Sequence, residues 1–508
     1  MLNRIFFLLA AGCPAVYLSA QDRLNTLLVE DNHGRISCVV ADSSAGEPNA
    51  LLAKWKLTSG VKSVQWDYRL VFYGAPNDAE YGKQWSLPRI GMEEACNHTT
   101  GGLTASGDTI VVAIIDRGFD IQHPDLLPNL WINHGEIPGD GIDNDGNGFA
   151  DDYHGWNFTE DRPEFPEDDH GTSVAGIIGA VGNNNMGISG INQRVKCMLF
   201  RTERVSEVIK AYQYIIQQRE LYAATNGKKG ALVVVVNASF GVPGIFCHEQ
   251  PVWGGMLEQL GRTGILTVAA TGNEAVDIDA VGDMPATCNS PFLLAVMATD
   301  PNDSKQASSA YGKQSIDLGA PGVQVFTTKP GAAYGYFSGT SAATPHVSGA
   351  VALLYSLPCS ALGESIRRFP QQAALAVRQA IMEGAAQFEQ LGPYCARGGR
   401  LSVSRSMDAL LQTCQATNSN PSIRLDRIFP NPAAGDGIVV EYTADDSLPL
   451  RWQISNSLGQ VLRMRELPAP NAWSAKRLYI GLEGLPDGVY CLSLLSSGAA
   501  GRQWFVKQ

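Results

Sequence analysis

The chain has 508 residues, 44% of them apolar and 17% charged, with a formal net charge of −12. That composition supports a large packed core and excludes a globally disordered chain. No strongly basic patch stands out, which excludes nucleic acid as the expected partner, and the length fits two to four domains.

The opening residues, MLNRIFFLLAAGCPAVYLSAQD, join Arg4 to a short apolar run and then to small residues. This pattern predicts a signal peptide over 1–20, cleaved after Ala20. Cys13 follows Ala-Ala-Gly, but residue 10 is Ala rather than a large aliphatic, so a lipoprotein site is not expected. No later stretch reaches about eighteen unbroken apolar residues, so no transmembrane segment is expected in the mature chain. Of ten cysteines, nine remain without Cys13, an odd number that predicts several disulfides and a free thiol. Cys247 and Cys288 flank one compact block, and Cys359, Cys395 and Cys414 fall in another; pairing is expected within each, with connectivity open.

Residues 21–75 carry no strong pattern. From 109 the sequence changes character. TIVVAIID (109–116) is a β-branched, continuously apolar run, as in a strand buried on both faces. Residues 205–223 follow the spacing of an amphipathic helix. ALVVVVNASFG (231–241), ILTVAATGNE (265–274) and FLLAVMATD (292–300) are further buried strands, and MLEQLGRTG (256–264) ends a helix. Buried strands alternating with helices predict an α/β fold, a parallel sheet with helices on both faces, whose ligands bind at the carboxyl ends of the strands. Asp116, Asn237 and Asn273 fall at those ends. QATNSNPS opens a linker over 415–423, and short alternating strands then predict an all-β sandwich-like module over 424–508.

Three polar positions stand against this apolar background. Asp116 ends VVAIID, His170 lies in DDHGTSVAGIIGA, and Ser341 lies in GTSAATP at the start of an apolar helix. Hydroxyls before an apolar run serve as helix caps. Acyl transfer, however, needs a hydroxyl, a base for its proton, a carboxylate to orient the base, and donors for the oxyanion. Asn273 in the turn ATGN and the Ser341 N–H are the candidate donors. His346 lies five residues past Ser341 on the same helix, off its face, and is expected to pack. His123 and His154 lie beside acidic turns and are expected at the surface.

VVAIIDRGFDIQHPDL, HGTSVAGIIGA and GTSAATPHVSGAVALL, with VVNASFG and AATGNE, resemble the motifs of the subtilisin-like serine peptidases, in order and over roughly 75–415. The resemblance implies Asp116 as orienting carboxylate, His170 as general base and acid, Ser341 as nucleophile and Asn273 as oxyanion donor. It implies peptide binding along Ser239, Phe240 and Gly241, with Ala270, Thr271 and Gly272 as the other wall. It also suggests a short propeptide over 21–75 before a peptidase domain at 76–414. Two departures stand out. Arg117 follows the Asp where a small or hydroxyl residue is usual, and is expected to point outward; Ala342 replaces the usual Met beside the nucleophile. The resulting expectation is a monomeric secreted or cell-surface endopeptidase acting on proteins or peptides. The alternative is a catalytically weak adhesin on the same scaffold.

Residues 140–169 hold eleven Asp and Glu against one Arg. Asp143, Asp145 and Asn147 alternate before Gly148, with Asp151 beyond, an oxygen-rich pattern suited to Ca²⁺. It resembles an EF-hand loop, but His154 stands where the closing Glu would be. At the C-terminus IFPNP, SNSLGQ, GLPDGVY and WFVK resemble the sorting domains of type IX secretion, which implies that export machinery as a partner.

Overall fold

The computed structural model describes residues 23–40, 52, 54–68, 75–419, 424–433, 435, 437–443, 450–456, 460–467, 476–496 and 499–508. The expected signal peptide lies outside them. Strands β1 (Arg23–Asp31), β2 (Ile36–Val40) and β3 (Val61–Tyr68) form an antiparallel sheet in the order β2-β1-β3. Leu27, Val29, Val64 and Trp66 are its core, so the described residues of the segment with no strong sequence pattern form a packed sheet.

The main sheet contains β4 (Ile110–Asp116), β5 (Gly155–Asn157), β6 (Lys196–Arg201), β7 (Leu232–Ala238), β9 (Leu266–Ala270), β11 (Leu293–Thr299) and β12 (Leu318–Pro321). Two short strands, β15 (Ala386–Gln387) and β16 (Gly399–Arg400), complete it. Their order is β15-β16-β12-β11-β9-β7-β4-β6-β5, parallel throughout except for the β15–β16 edge pair. Every residue of β4, β7, β9 and β11 is buried. Helices on both faces explain why these strands are almost wholly apolar rather than alternating, with Asp116, Asn237, Thr267 and Thr299 as the polar exceptions.

Helices α1 (Asp169–Gly179), α2 (Val205–Ala224), α3 (Pro251–Arg262) and α4 (Thr340–Leu354) matter most for the site. Val111, Ala113 and Ile115 of β4 share a core with Tyr212 and Ile215 of α2 and Trp253 and Leu257 of α3. By the twofold strand period Val112 and Ile114 face the other way, where α1 and α4 pack. Between the main strands run two antiparallel pairs, β8 (Val242–Pro243) with β10 (Asp283–Met284), and β13 (Val325–Lys329) with β14 (Ala333–Phe337).

A compact unit extends through Ala409, and a second covers Leu410–Gln508. The polar stretch expected as a linker is helical through Ser419. Beyond it a three-stranded and a four-stranded antiparallel sheet share a core of Ile438, Val440, Ile480, Ile454, Leu492 and Phe505, the sandwich that the alternating pattern predicts. Among the described residues no helix is long and apolar enough to cross a membrane.

Candidate active site

The carboxyl end of β4 delivers Asp116, which is buried. Helix α1 begins beside it because Asp168 caps its first turn, accepting from the N–H groups of His170 and Gly171. That cap sets His170 so that its Nδ1 lies 2.8 and 2.9 Å from the two Asp116 oxygens. An acceptor at Nδ1 holds the proton there and leaves Nε2 as the base. Burial is the largest influence on His170 and opposes its protonation. The hydrogen bond to Asp116 and that group's charge outweigh it, so the imidazole pKa sits above its usual value.

Arg117 points outward, as expected from sequence. Its guanidinium is 63% exposed and lies 3.4 Å from Asp168, while its N–H donates to Asp116 Oδ1. It therefore sits over the cap of the His170 helix rather than on the Asp116 carboxylate.

Ser341 is the second residue of α4. Its hydroxyl donates to the Ser239 carbonyl at 3.2 Å rather than to His170. Gly339 precedes the helix at φ 124°, a conformation that side chains rarely adopt, and a Cβ there would lie 3.0 Å from Asn273 Oδ1. Thr340 N–H donates to that Oδ1 at 3.0 Å, and Ala342 and Ala343 N–H donate to the Gly339 carbonyl. The Ser341 N–H has no acceptor among the described residues. Because Asn273 Oδ1 accepts from Thr340, the Asn273 amide must present Nδ2 on its free side. The Asn273 amide thus lies against Gly339 and Thr340, just before the serine.

Pro345 has no N–H to donate to the Ser341 carbonyl four residues back. Ser239 Oγ supplies the missing donor at 3.2 Å. Ser239 in turn accepts from Asn237 Nδ2, whose Oδ1 accepts from Ser348. This buried chain ties the serine turn to the end of β7. The usual Met position beside the nucleophile, Ala342, is fully buried.

His346 packs as expected. It is fully buried, its Nδ1 donates to the Ala342 carbonyl, and burial pushes its pKa down to about 4. His123 corrects the surface expectation. It is fully buried, accepts from Asp125 N–H at Nδ1, and lies edge-on to Tyr334. His154 is half-buried, with Nδ1 on the Trp131 carbonyl. Each sits beside an acidic turn in sequence, but His123 packs against the Ala333–Tyr334 hairpin and His154 bonds to the Trp131 carbonyl.

Ser239, Phe240 and Gly241 continue from β7, and Ala270, Thr271 and Gly272 from its neighbour β9. Two sheet-adjacent strands therefore provide the two predicted walls. Beside the first wall a cleft of about 430 Å³ runs from Asp116 and His170 to Phe240, Val205, Val208 and Trp253. The Phe240 and Trp253 rings stack at 6.4 Å. The Cys247–Cys288 disulfide forms within the expected block. Cys359 and Cys414 are also disulfide-bonded, and Cys38, Cys96, Cys197, Cys395 and Cys491 are free.

In the acidic insertion, carboxylate oxygens of Glu136, Asp143 and Asp145 lie within 4.8 Å of one another. Asn147 hydrogen-bonds to Asp145 through Nδ2. Asp151 turns away: its oxygens accept from Gly139, Asp140 and Gly141 N–H. Glu136 is buried, and the alternating pattern does not point to it, because it precedes that run and reaches it only through folding. Behind the cluster Asp152, pushed up to about 6 by burial, accepts from Tyr214, Asn133 and Asn147.

An Asp–His pair and a helix-start serine, gathered at the carboxyl ends of a parallel sheet, are the equipment of an α/β serine hydrolase. Residues 107–406, more than half of the chain, match the family model described as the Subtilase family. The chain belongs to that family of serine peptidases. It is 28% identical over 328 residues to Subtilisin-like protease 1 of Plasmodium berghei, covering 59% of this chain and 51% of that protein. It is 33% identical over 271 residues to Subtilisin Savinase of Lederbergia lenta, covering 53% of this chain and 83% of that one. A solved protease of Pseudoalteromonas arctica PAMC 21717 aligns with 66% of this chain and 100% of its own, at 22% identity and TM-score 0.48. The chain spans about half the length, or less, of the first curated relatives it matches.

Proposed function

We propose that the chain is a secreted serine endopeptidase that hydrolyses peptide bonds through an acyl-enzyme on Ser341. The observation that carries this reading is the approach of His170 Nδ1 to both Asp116 oxygens, together with a helix-start serine whose N–H has no acceptor among the described residues. Rotation of Ser341 about χ1 would move its hydroxyl from the Ser239 carbonyl to His170 Nε2. His170 would take the proton as Oγ attacks the scissile carbonyl, and the Ser341 N–H and Asn273 Nδ2 would hold the oxyanion. The same imidazolium would then protonate the leaving amine, and water would release the acyl group by the reverse sequence. The Arg117 guanidinium leans on Asp168 rather than on the Asp116 carboxylate, which accepts from His170 Nδ1 and from the Arg117 backbone N–H. A fluorophosphonate probe should label the wild type and fail on Ser341→Ala and His170→Ala; a folded wild type that resists labelling would overturn the proposal.

A raised His170 pKa sets the expected pH response. His170 acts as base only when neutral, so kcat/KM should fall as pH drops through its pKa, above the ordinary histidine value. Its effect on stability has the opposite sign. A pKa raised on folding contributes stability that is complete below the unfolded value of about 6.5 and is lost as pH rises through the folded value. An acidic limb of kcat/KM centred below 6.5 would contradict this.

We further propose Ca²⁺ in the acidic insertion. The hard oxygens of Glu136, Asp143 and Asp145 suit that ion, and the loop leads toward the cap of the His170 helix. Free Ca²⁺ at a hundredfold excess over Kd would stabilise the fold by about 2.7 kcal/mol. EDTA dialysis should therefore lower Tm and speed autolysis, and Glu136→Gln should blunt the response; unchanged Tm and autolysis would reject the ion. The N-terminal sheet we read as a propeptide and the C-terminal sandwich as a type IX sorting module, giving a surface or extracellular product.

A further inference from the structure

Nothing in the sequence pattern singles out Asp283, yet its position in the fold is unusual. It is 2% exposed. Its Oδ2 accepts one hydrogen bond, from Gly272 N–H at 2.7 Å, and its Oδ1 has no donor among the described residues. No cation among them pairs with it. Buried carboxylates are ordinarily paired or fully hydrogen-bonded. Two other buried aspartates near the strand ends show that ordinary arrangement: Asp116 has His170, and Asp303 has Arg400 and Arg89.

The carboxylate touches both predicted walls. Strand β10 pairs with β8 through Met284 with Val242 and Asp283 with Pro243, which brings it beneath the wall ending at Gly241. A Cβ on Gly241 would lie 3.1 Å from Asp283 Oδ1, and one on Gly272 would lie 3.7 Å from Oδ2. The two glycines thus leave room on either side of the acid. Ser341 and its neighbour engage the same two walls, Ser341 Oγ on the Ser239 carbonyl and Thr340 Oγ1 on the Thr271 carbonyl. The walls that the nucleophile and its neighbour contact are thus the ones that flank a buried, under-bonded carboxylate.

We infer that Asp283 is the specificity-determining residue of the pocket for the side chain before the cut, and that the pocket selects lysine or arginine. The inference rests on the peptidase reading above. A long cationic side chain entering between the walls would bring the N–H donors and the charge that Asp283 lacks. Burial pushes the carboxyl up to about 6, with the Gly272 hydrogen bond opposing, so it is an anion at neutral and alkaline pH. An apolar side chain would leave that anion buried and unpaired, which is why such sites discriminate strongly. The wall residues alone, Phe240 and Thr271, suggest a moderately sized apolar site; the floor reverses that expectation.

The test uses the full chain with peptide substrates that differ only before the cut. The wild type should show kcat/KM for Lys and Arg at least about tenfold above Leu and Phe, and benzamidine should inhibit it competitively. Asp283→Asn can keep an acceptor for Gly272 N–H, and should lower the ratio of basic to apolar kcat/KM by about 100-fold and weaken benzamidine. Because the ratio compares two substrates on one sample, it does not depend on the fraction folded. Fluorophosphonate labelling of Ser341 in parallel separates the two readings. A labelled wild type that prefers Leu or Phe and ignores benzamidine, or an Asp283→Asn ratio within twofold of wild type, would overturn the assignment while leaving the peptidase intact. A folded wild type that neither labels nor cleaves would overturn both.

Discussion

Ser341→Ala should lower kcat by about 10⁶-fold, His170→Ala by a similar factor, and the double variant by no more than either alone, since a triad works as a unit. The size of the factor is the one known for the subtilisin triad, and the reason to expect it here is geometric. Without Ser341 there is no oxygen to acylate. Without His170 its proton has no acceptor, because the Ser239 carbonyl that now receives it is not a base. Asn273→Asp separates two duties of one side chain. It can retain the acceptor for Thr340 N–H but replaces the Nδ2 donor with an anion. It should cost about 100- to 1,000-fold in kcat with little change in KM, since the oxyanion exists only in the transition state. Single-turnover kinetics with a chromogenic peptide measures all of these. A loss confined to KM, with kcat unchanged, for Asn273→Asp would remove Asn273 from the oxyanion site.

Asp303→Ala should destabilise the fold by about 3–5 kcal/mol, read as a shift in the denaturant midpoint. Asp303 is buried after β11 and accepts from Arg400 Nε at 2.5 Å on β16 and from Arg89 at 2.8 Å near the N-terminal end of the catalytic region. Arg400 is itself buried, donates to the Leu401 carbonyl, and lies over the Phe388 ring. Removing the anion leaves a guanidinium in a dry site, so the cost is the stranded charge rather than the lost attraction. Arg89→Ala should cost much less, because Arg89 is 43% exposed and Asp303 keeps its buried partner Arg400. A midpoint for Asp303→Ala within experimental error of wild type would show that Arg400 finds another acceptor.

The parallel sheet and its helices were legible because each buried strand is nearly continuously apolar, the pattern of a strand covered on both faces. Asp116, His170, Ser341 and Asn273 were legible because polar residues at strand ends and helix starts interrupt that pattern at fixed motifs. Other parts depended on pairings that lie far apart in the chain. His123 reads as a surface residue beside an acidic turn until Tyr334, on a hairpin some two hundred residues later, closes over it. Asp151 reads as a ligand just beyond the alternating run, yet its oxygens accept from the N–H groups of 139–141, while Glu136, from before the run, lies beside Asp143 and Asp145. The resting direction of the Ser341 hydroxyl and the Ser239 bond that replaces the one Pro345 cannot make likewise exist only once β7 meets α4.

By itself, then, the sequence determined the class of fold and the chemical groups at its strand ends, since local burial and helix capping are written in short-range patterns. Only the tertiary structure decided what lies at the bottom of the pocket. Asp283 follows Asn273 by ten residues in a loop of no clear pattern, and its position under Gly241 and Gly272 depends on the β8–β10 pairing. Long-range strand pairing has no periodic signature in either partner, so an acid at the floor of a cleft cannot be told from one in solvent until the chain is folded.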